Sequence, residues 1–256
     1  MKYGHTVRAR FLSRLNRFTA AVEPGTETEE LVHVKTTGRC RELLIPGARV
    51  VLEEAAGPNR KTRWDLIAVY KDGLGLVNID SQAPNKAVKE WLATQGYEKI
   101  RPEYSFGSSR IDFYMEKDGE RYLMEIKGCT LERDGVGYFP DAPTERGVKH
   151  LRELTAAAKL GYRCIVAFVI QMEGVGEVRP NDDTHPQFGE ALEEAAQAGV
   201  EILFLSCRVR EDELTVKEAL RRRVPQAQRD GKMKEAQRGT QTAGITEHRD
   251  RRRRNE

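Results

Sequence analysis

The sequence predicts an α+β protein in two parts, an OB-like β-barrel followed by a mixed β-sheet covered by helices on both faces. Three observations predict it. Residues 1–80 fall into short strand-like segments separated by turn residues. From Ala83 the apolar spacing changes to that of a helix, and beyond it strand and helix segments alternate. The expected boundaries are 1–82 for the barrel, 83–220 for the mixed-sheet domain and 221–256 for a disordered basic tail.

In the barrel, the strand segments are Arg8–Glu23, read as one long curved strand, Leu31–Thr37, Ala48–Glu54, Trp64–Tyr70 and Leu74–Ile79. Turn signals such as Pro24-Gly25, Ile45-Pro46-Gly47 and Asp72-Gly73 divide them. Pro84-Asn85 then opens a helix on which Ala87, Val88, Trp91 and Leu92 share a face, and Gly96 closes it. Strands follow at Glu103–Phe106, Arg110–Met115 and Arg121–Lys127. Thr144 caps a second helix that runs to Leu160, before Gly161. The apolar strand Tyr162–Ile170, a helix from Pro186 to Ala198 and the strand Val200–Leu205 complete an αβββαβ core with one further helix and strand.

Composition narrows the function. The longest unbroken apolar run is Ile165–Ile170, far below the roughly 20 residues of a membrane span, and the first residues lack the apolar stretch of a secretory signal. Cys40, Cys129, Cys164 and Cys207 are far apart and form no C-x-x-C pair, which points to reduced thiols and a cytoplasmic protein. No Walker A loop or G-x-S-x-G elbow occurs, and the G-x-G pairs lack a third glycine, so neither a nucleotide cofactor nor acyl transfer is expected. Net charge is +3, but residues 221–256 hold 12 Lys/Arg and 5 Asp/Glu, which leaves the remainder at −4. Nucleic-acid binding must therefore rest on local charge. In the barrel, Arg14, Arg17 and Arg39 are the candidates for a groove that takes a single strand; the alternative is an ordinary solvated face.

The chemistry concentrates in Ser109–Gly128. Asp118-Gly119 suits a two-residue type I′ turn. Such a turn would put Lys117 opposite Glu120, Met115 opposite Tyr122, Phe113 opposite Met124 and Ile111 opposite Ile126, forming an apolar core face. On the other face Asp112 meets Glu125 and Arg110 meets Lys127. Like charges opposed at about 5 Å repel on the order of 3 kcal/mol at an effective dielectric near 20. A cation between them would reverse the sign. Asp112, Glu125 and the Ile126 carbonyl make the oxygen-rich set that Mg²⁺ or Mn²⁺ prefers, and Lys127 could polarise a water. That is the arrangement for metal-dependent phosphodiester hydrolysis of DNA or RNA. Arg110, Arg146, Lys149 and His150 could hold flanking phosphates. The alternative is a sheet edge whose charges neutralise one another in water. An acid-x-Lys tripeptide alone means little: the other example, Asp230-Gly231-Lys232, lies in the tail. Pro140-Asp141 resembles the opening of a PD signature, but no acid-x-Lys follows it in the ordered part, so Asp141 is read as a loop residue near the site.

At GRCRELLIPGARV, LVNIDSQAPNKAVKEWL, PEYSFGSSRIDF, MEIKGCTL and YFPDAPTERGVKHLREL the chain resembles the sugar fermentation stimulation protein A family, over roughly residues 8–210. The resemblance implies an OB-like domain joined to a PD-(D/E)-x-K, restriction-endonuclease-like domain, DNA binding, a nuclease activity and a link to regulation of sugar use. It places the nuclease signature on Asp112, Glu125 and Lys127, with Glu103 as a further carboxylate and Glu90 as a weaker one. Ile111 stands where the generic signature has proline, and VHVKTTGRC lacks the Cys-Pro-Asn-Thr run associated with the family. An oligomer is possible but not indicated.

Overall fold

The computed structural model describes residues 1–25, 28–36, 38–57 and 60–222. The expected disordered tail lies outside the described residues from 223 on. Arg221, assigned to that tail, instead ends a strand.

The first sheet holds β1 (Thr6–Arg14), β2 (Thr19–Glu23), β3 (Glu30–Val34), β4 (Arg49–Glu54), β5 (Trp64–Lys71) and β6 (Gly75–Asn78) in the order β3-β2-β1-β4-β5-β6. A parallel β3–β5 pairing closes it into an OB-like barrel. The single long strand expected over 8–23 is a hairpin. The chain reverses at Leu15–Phe18, where Leu15 N–H donates to Thr19 O at 3.0 Å and the Arg14 guanidinium donates to Asn16 O and Arg17 O. This reversal contains neither Gly nor Pro, and a side chain supplies what a turn residue would have signalled.

The second half begins with α1 (Ala83–Leu92), with Pro84 in its first turn, where proline costs no hydrogen bond. It continues with β7 (Lys99–Phe106), β8 (Ser109–Lys117), β9 (Glu120–Cys129), β10 (Leu131–Arg133), β11 (Val136–Phe139), α2 (Glu145–Lys159), β12 (Arg163–Ile170), β13 (Val178–Pro180), α3 (Pro186–Gln197), β14 (Glu201–Arg210) and β15 (Glu213–Arg221). The main sheet runs β15-β14-β12-β9-β8-β7, with parallel pairs β9–β12 and β12–β14 at its centre. The strands β10, β11, β13 and β15 were not expected from sequence; the first three form a small separate sheet.

Both faces of the main sheet are apolar and covered. Phe113, Met115, Met124 and Ile126 pack with Val88 and Leu92 of α1. Tyr114, Leu123, Val166 and Phe168 pack with Leu151 and Leu154 of α2 and Phe188 of α3, in a cluster continuous with the barrel interior. Helices cover both faces, as expected, and the parallel strands at the centre of the sheet are buried on both sides. In α2 the Thr144 hydroxyl accepts from Gly147 N–H at 3.1 Å, a cap that stabilises a helix start by about 1 kcal/mol. Among the described residues no helix is long and apolar enough to cross a membrane, and all four cysteines are buried thiols.

Candidate metal centre and its surroundings

The β8–β9 ladder follows the expected register from Lys117↔Glu120 to Phe113↔Met124 and stops there. On the other side, the β7–β8 ladder runs through Pro102↔Phe113 and Tyr104↔Ile111 but skips Asp112. Both ladders thus lapse at the acid. The Asp112 carboxylate takes the place of a strand: Oδ2 accepts from Ile126 N–H at 2.8 Å, and Oδ1 from the Asn85 amide on α1, also at 2.8 Å. Alternation is interrupted here too. Ile111 joins the cluster of Tyr114, not that of Phe113 and Ile126 with which it was expected to share a face.

Glu125 is buried, with 3% of its side chain exposed. Its Oε1 accepts from Lys127 Nζ at 2.7 Å and from His150 Nδ1 on α2. Arg146 Nε donates to His150 Nε2 at 3.4 Å, which sets the ring proton on Nδ1, facing the carboxylate. Its other oxygen, Oε2, is buried without a partner. Burial would raise the Glu125 pKa, but Lys127 and His150 hold it below the usual carboxylate range. Asp112 moves the opposite way. Burial and the neighbouring Glu125 charge push it up, against the Ile126 N–H, Asn85 and Lys127. Two adjacent carboxylates driven apart in this way mark a site built around charge rather than packing.

A hard divalent cation fits these residues. In an extended strand the N–H and C=O of one residue point to the same neighbour, so the Ile126 carbonyl faces β8 as its N–H does, where the ladder has lapsed. The unpartnered Glu125 Oε2 is a buried acceptor that lacks a positive partner. Among the described residues no three His, Cys, Asp or Glu side chains gather to hold an ion alone. The fit is to an ion that keeps waters and takes substrate oxygens, as Mg²⁺ does.

The other expected residues are placed as follows. Glu103 lies on the edge strand β7 with a left-handed φ of 53°, its exposed carboxylate 3.6 Å from Arg110. Glu90 is exposed and paired with the terminal ammonium of Met1 at 2.7 Å. Arg146 and Lys149 are exposed on α2, where with Arg152 they line a shallow groove. His150 is corrected: it is buried against Glu125, not solvated and reaching for phosphate. Arg14 is committed to main-chain carbonyls of two loops, that of Arg17 between β1 and β2 and those of Gly38 and Arg39 between β3 and β4, so it holds the two loops together. Arg14, Arg17, Arg39 and Arg41, with Ala142 and Pro143, line an open cleft of about 740 Å³. Of the remaining barrel cations, Lys35, Arg60 and Arg63 are each paired with acids.

One residue was missed, and two were given other roles. Asn85 has no sequence signal beyond its place on a helix. His150 had one: with Val148, Leu151 and Leu154 it falls on the buried face of α2. Asp141, read as a loop residue, joins the two halves, its Oδ2 accepting from Arg39 N–H at 2.8 Å and Cys40 N–H at 3.4 Å.

Fold and site together define a two-domain protein: an OB-like barrel followed by an α+β domain whose β8–β9 hairpin carries paired carboxylates. Two family descriptions match the same halves, the SfsA N-terminal OB domain over residues 12–79 and the sugar fermentation stimulation protein RE domain over residues 82–213. The chain belongs to the sugar fermentation stimulation protein family. It is 52% identical over 218 residues to a sugar fermentation stimulation protein homolog of Desulfitobacterium hafniense, covering 84% of this chain and 94% of that one. It is 48% identical over 223 residues to the homolog of Clostridium acetobutylicum, covering 84% and 96%. Among solved structures it is similar to SfsA of Pyrococcus furiosus in complex with Ca²⁺, at 30% identity and a TM-score of 0.76, over 86% of this chain and 96% of that one.

Proposed function

We propose that this chain is a divalent-metal-dependent nuclease that hydrolyses phosphodiester bonds in DNA, with RNA as a second substrate class. One observation carries the reading. A half-buried carboxylate, Asp112, and a buried one, Glu125, come together where both ladders of β8 lapse, with a lysine 2.7 Å from Glu125. Asp112, Glu125 and the Ile126 carbonyl would hold Mg²⁺ or Mn²⁺, which when bound stabilises charge on a phosphate and acidifies a water. The Ca²⁺ complex of the Pyrococcus furiosus protein supports an oxygen-ligated cation in this family.

The chain's own residues orient the reaction. Asn85 and the Ile126 N–H fix the Asp112 carboxylate, while His150 and Lys127 fix that of Glu125. The Lys127 ammonium, 10% exposed, sits where it can neutralise a pentacovalent phosphate and hold the attacking water. Arg110, Arg146 and Lys149 supply exposed cations for flanking phosphates, and the cleft of Arg17, Arg39 and Arg41 takes the strand further along. Glu103 is close enough in the strand order to add a carboxylate once Arg110 turns to a phosphate.

A second reading, a DNA-binding regulatory protein of sugar metabolism that cuts little or not at all, is favoured by the open arginine cleft, which needs no metal to take a strand. One assay separates the two. Labelled single- and double-stranded DNA and RNA are incubated with and without Mg²⁺ or Mn²⁺, beside Asp112→Asn. Metal-dependent cutting that falls by about 100-fold or more in the variant supports the nuclease. Binding without metal-dependent cutting supports the regulator.

A further inference from the structure

Beside the paired carboxylates, between the barrel and β9, lies a cavity of about 220 Å³ that shares Ile126 and Lys127 with the candidate metal centre and Gly38 with the arginine cleft. Lys127 and Gly128 form part of its wall, so it opens off the same strand segment that carries the proposed catalytic lysine. Ile79, Leu131 and Phe139 give it apolar walls. Gln171 and Asp141 supply acceptor oxygens to a wall that also carries Lys127 and the hydroxyls of Thr36, Ser81, Thr130 and Tyr138. Gln171 is buried, and its two amide hydrogens are committed to Asn78 and Asp80. That commitment leaves the Gln171 carbonyl oxygen against Gly128, so close that a Cβ at 128 would fall 2.4 Å from it. The Asp141 carboxylate lines the same space and is held by the Arg39 and Cys40 amides.

We infer that this cavity receives one unstacked nucleobase of the strand whose phosphate lies at Asp112 and Glu125. The inference rests on the nuclease reading and extends it to how the strand is seated. The space is smaller than the roughly 300–1,000 Å³ of drug-sized ligand sites and suits a single ring system. Apolar walls accept a base face, and the Gln171 and Asp141 oxygens match the N–H groups that every nucleobase presents on its pairing edge. Acceptors common to all four bases give a seat without sequence preference. The strand would then be anchored by its base on one side of Lys127 and by its phosphate on the other.

The test is an abasic scan. DNA oligonucleotides carry a tetrahydrofuran residue in turn at each position around the cleaved bond, and kcat/KM is measured in Mn²⁺. The expected result is a loss of about 5- to 100-fold at one position, the range of base stacking and pairing-edge contacts, with little effect elsewhere. Thr130→Met, which narrows the cavity from its wall, is expected to cut the intact oligonucleotide as wild type cuts the sensitive abasic one, with no position-specific loss. The wild-type scan stands if that variant fails to fold. Cutting with equal sensitivity at every position overturns the pocket and leaves the nuclease reading intact. If nothing is cut, the same series is scored by binding in Ca²⁺. A single sensitive position then supports the pocket while hydrolysis fails, and uniform binding or none overturns the pocket.

Discussion

Lys35→Met is the perturbation that most directly tests how the barrel supports the candidate site. Lys35 leaves β3 with its ammonium 3.0 Å from Asp80 Oδ2 and 3.1 Å from Glu53 Oε2, and the Asp80 side chain is 0% exposed. Asp80 Oδ1 also accepts from Gln82 N–H at 2.8 Å at the start of α1, the helix whose Asn85 orients Asp112. Burial would lower the Lys35 pKa, but Asp80 and Glu53 outweigh it and hold it raised, so the ammonium keeps its charge through the ordinary lysine range. Removing the ammonium leaves a fully buried carboxylate without its cation, which costs about 3–5 kcal/mol. At roughly 2–4 °C per kcal/mol for a domain this size, the midpoint of thermal unfolding should fall by about 6–20 °C. Asp80→Asn keeps an acceptor for Gln82 and removes the stranded charge, so Lys35→Met/Asp80→Asn should recover at least about 1 kcal/mol relative to the sum of the singles. Urea unfolding of the four proteins measures both quantities. A loss below about 1 kcal/mol in Lys35→Met, the range of an exposed ion pair, or simple additivity in the cycle, would refute the reasoning.

Divalent cations should raise the unfolding midpoint of wild type by an amount equivalent to about 2.7 kcal/mol at one hundred times Kd, and Asp112→Asn should abolish the shift in calorimetry; a persisting shift would place the ion elsewhere. Without metal, Asp112→Asn should be more stable than wild type near neutral pH, because a raised folded-state pKa means that the Asp112 charge disfavours the fold. That advantage should shrink as pH falls through the raised Asp112 pKa and vanish below the ordinary aspartate value of about 3.9, where the acid is protonated in both states, and an advantage constant with pH would contradict the assignment. His150→Ala should cost about 2–4 kcal/mol, from a lost hydrogen bond to a charged group and a buried cavity. It should also slow cleavage more than Arg146→Ala does, a comparison made by single-turnover kinetics. Arg17→Ala/Arg39→Ala should weaken single-strand binding and flatten its salt dependence by about 1.4 in log–log slope, measured by titration across salt.

How much of this was visible beforehand depended on how local the cause was. The β8–β9 register was legible because Asp118-Gly119 fixes it over a few residues, and α2 because Thr144 and Gly161 bound it. The reversal at Leu15–Phe18 was not, since Arg14 holds it from outside the turn, and β10, β11 and β13 are too short to show a period. At the site, Asp112, Glu125 and Lys127 were readable as a conjunction of acid, strand and turn. The geometry differed in one respect. Asp112 does not stand squarely opposite Glu125; it bonds the Ile126 amide, because a carboxylate beside another is better placed on a donor. Asn85, His150 and Asp141 come from elements 27, 25 and more than 100 residues away from their partners, separations at which no spacing rule operates.

The bend at Asp118-Gly119 sets one last consequence. It is a surface reversal, with the Gly119 φ at 76° and open space around that residue, and it is the only covalent path between the strand of Asp112 and the strand of Glu125. A chain opened at that point would carry its two acids on separate fragments, each holding half a seat for a cation. On the nuclease reading, hydrolysis regained on mixing would report the rejoining of β8 to β9, which makes this hairpin a natural place to divide the protein into a reassembly sensor.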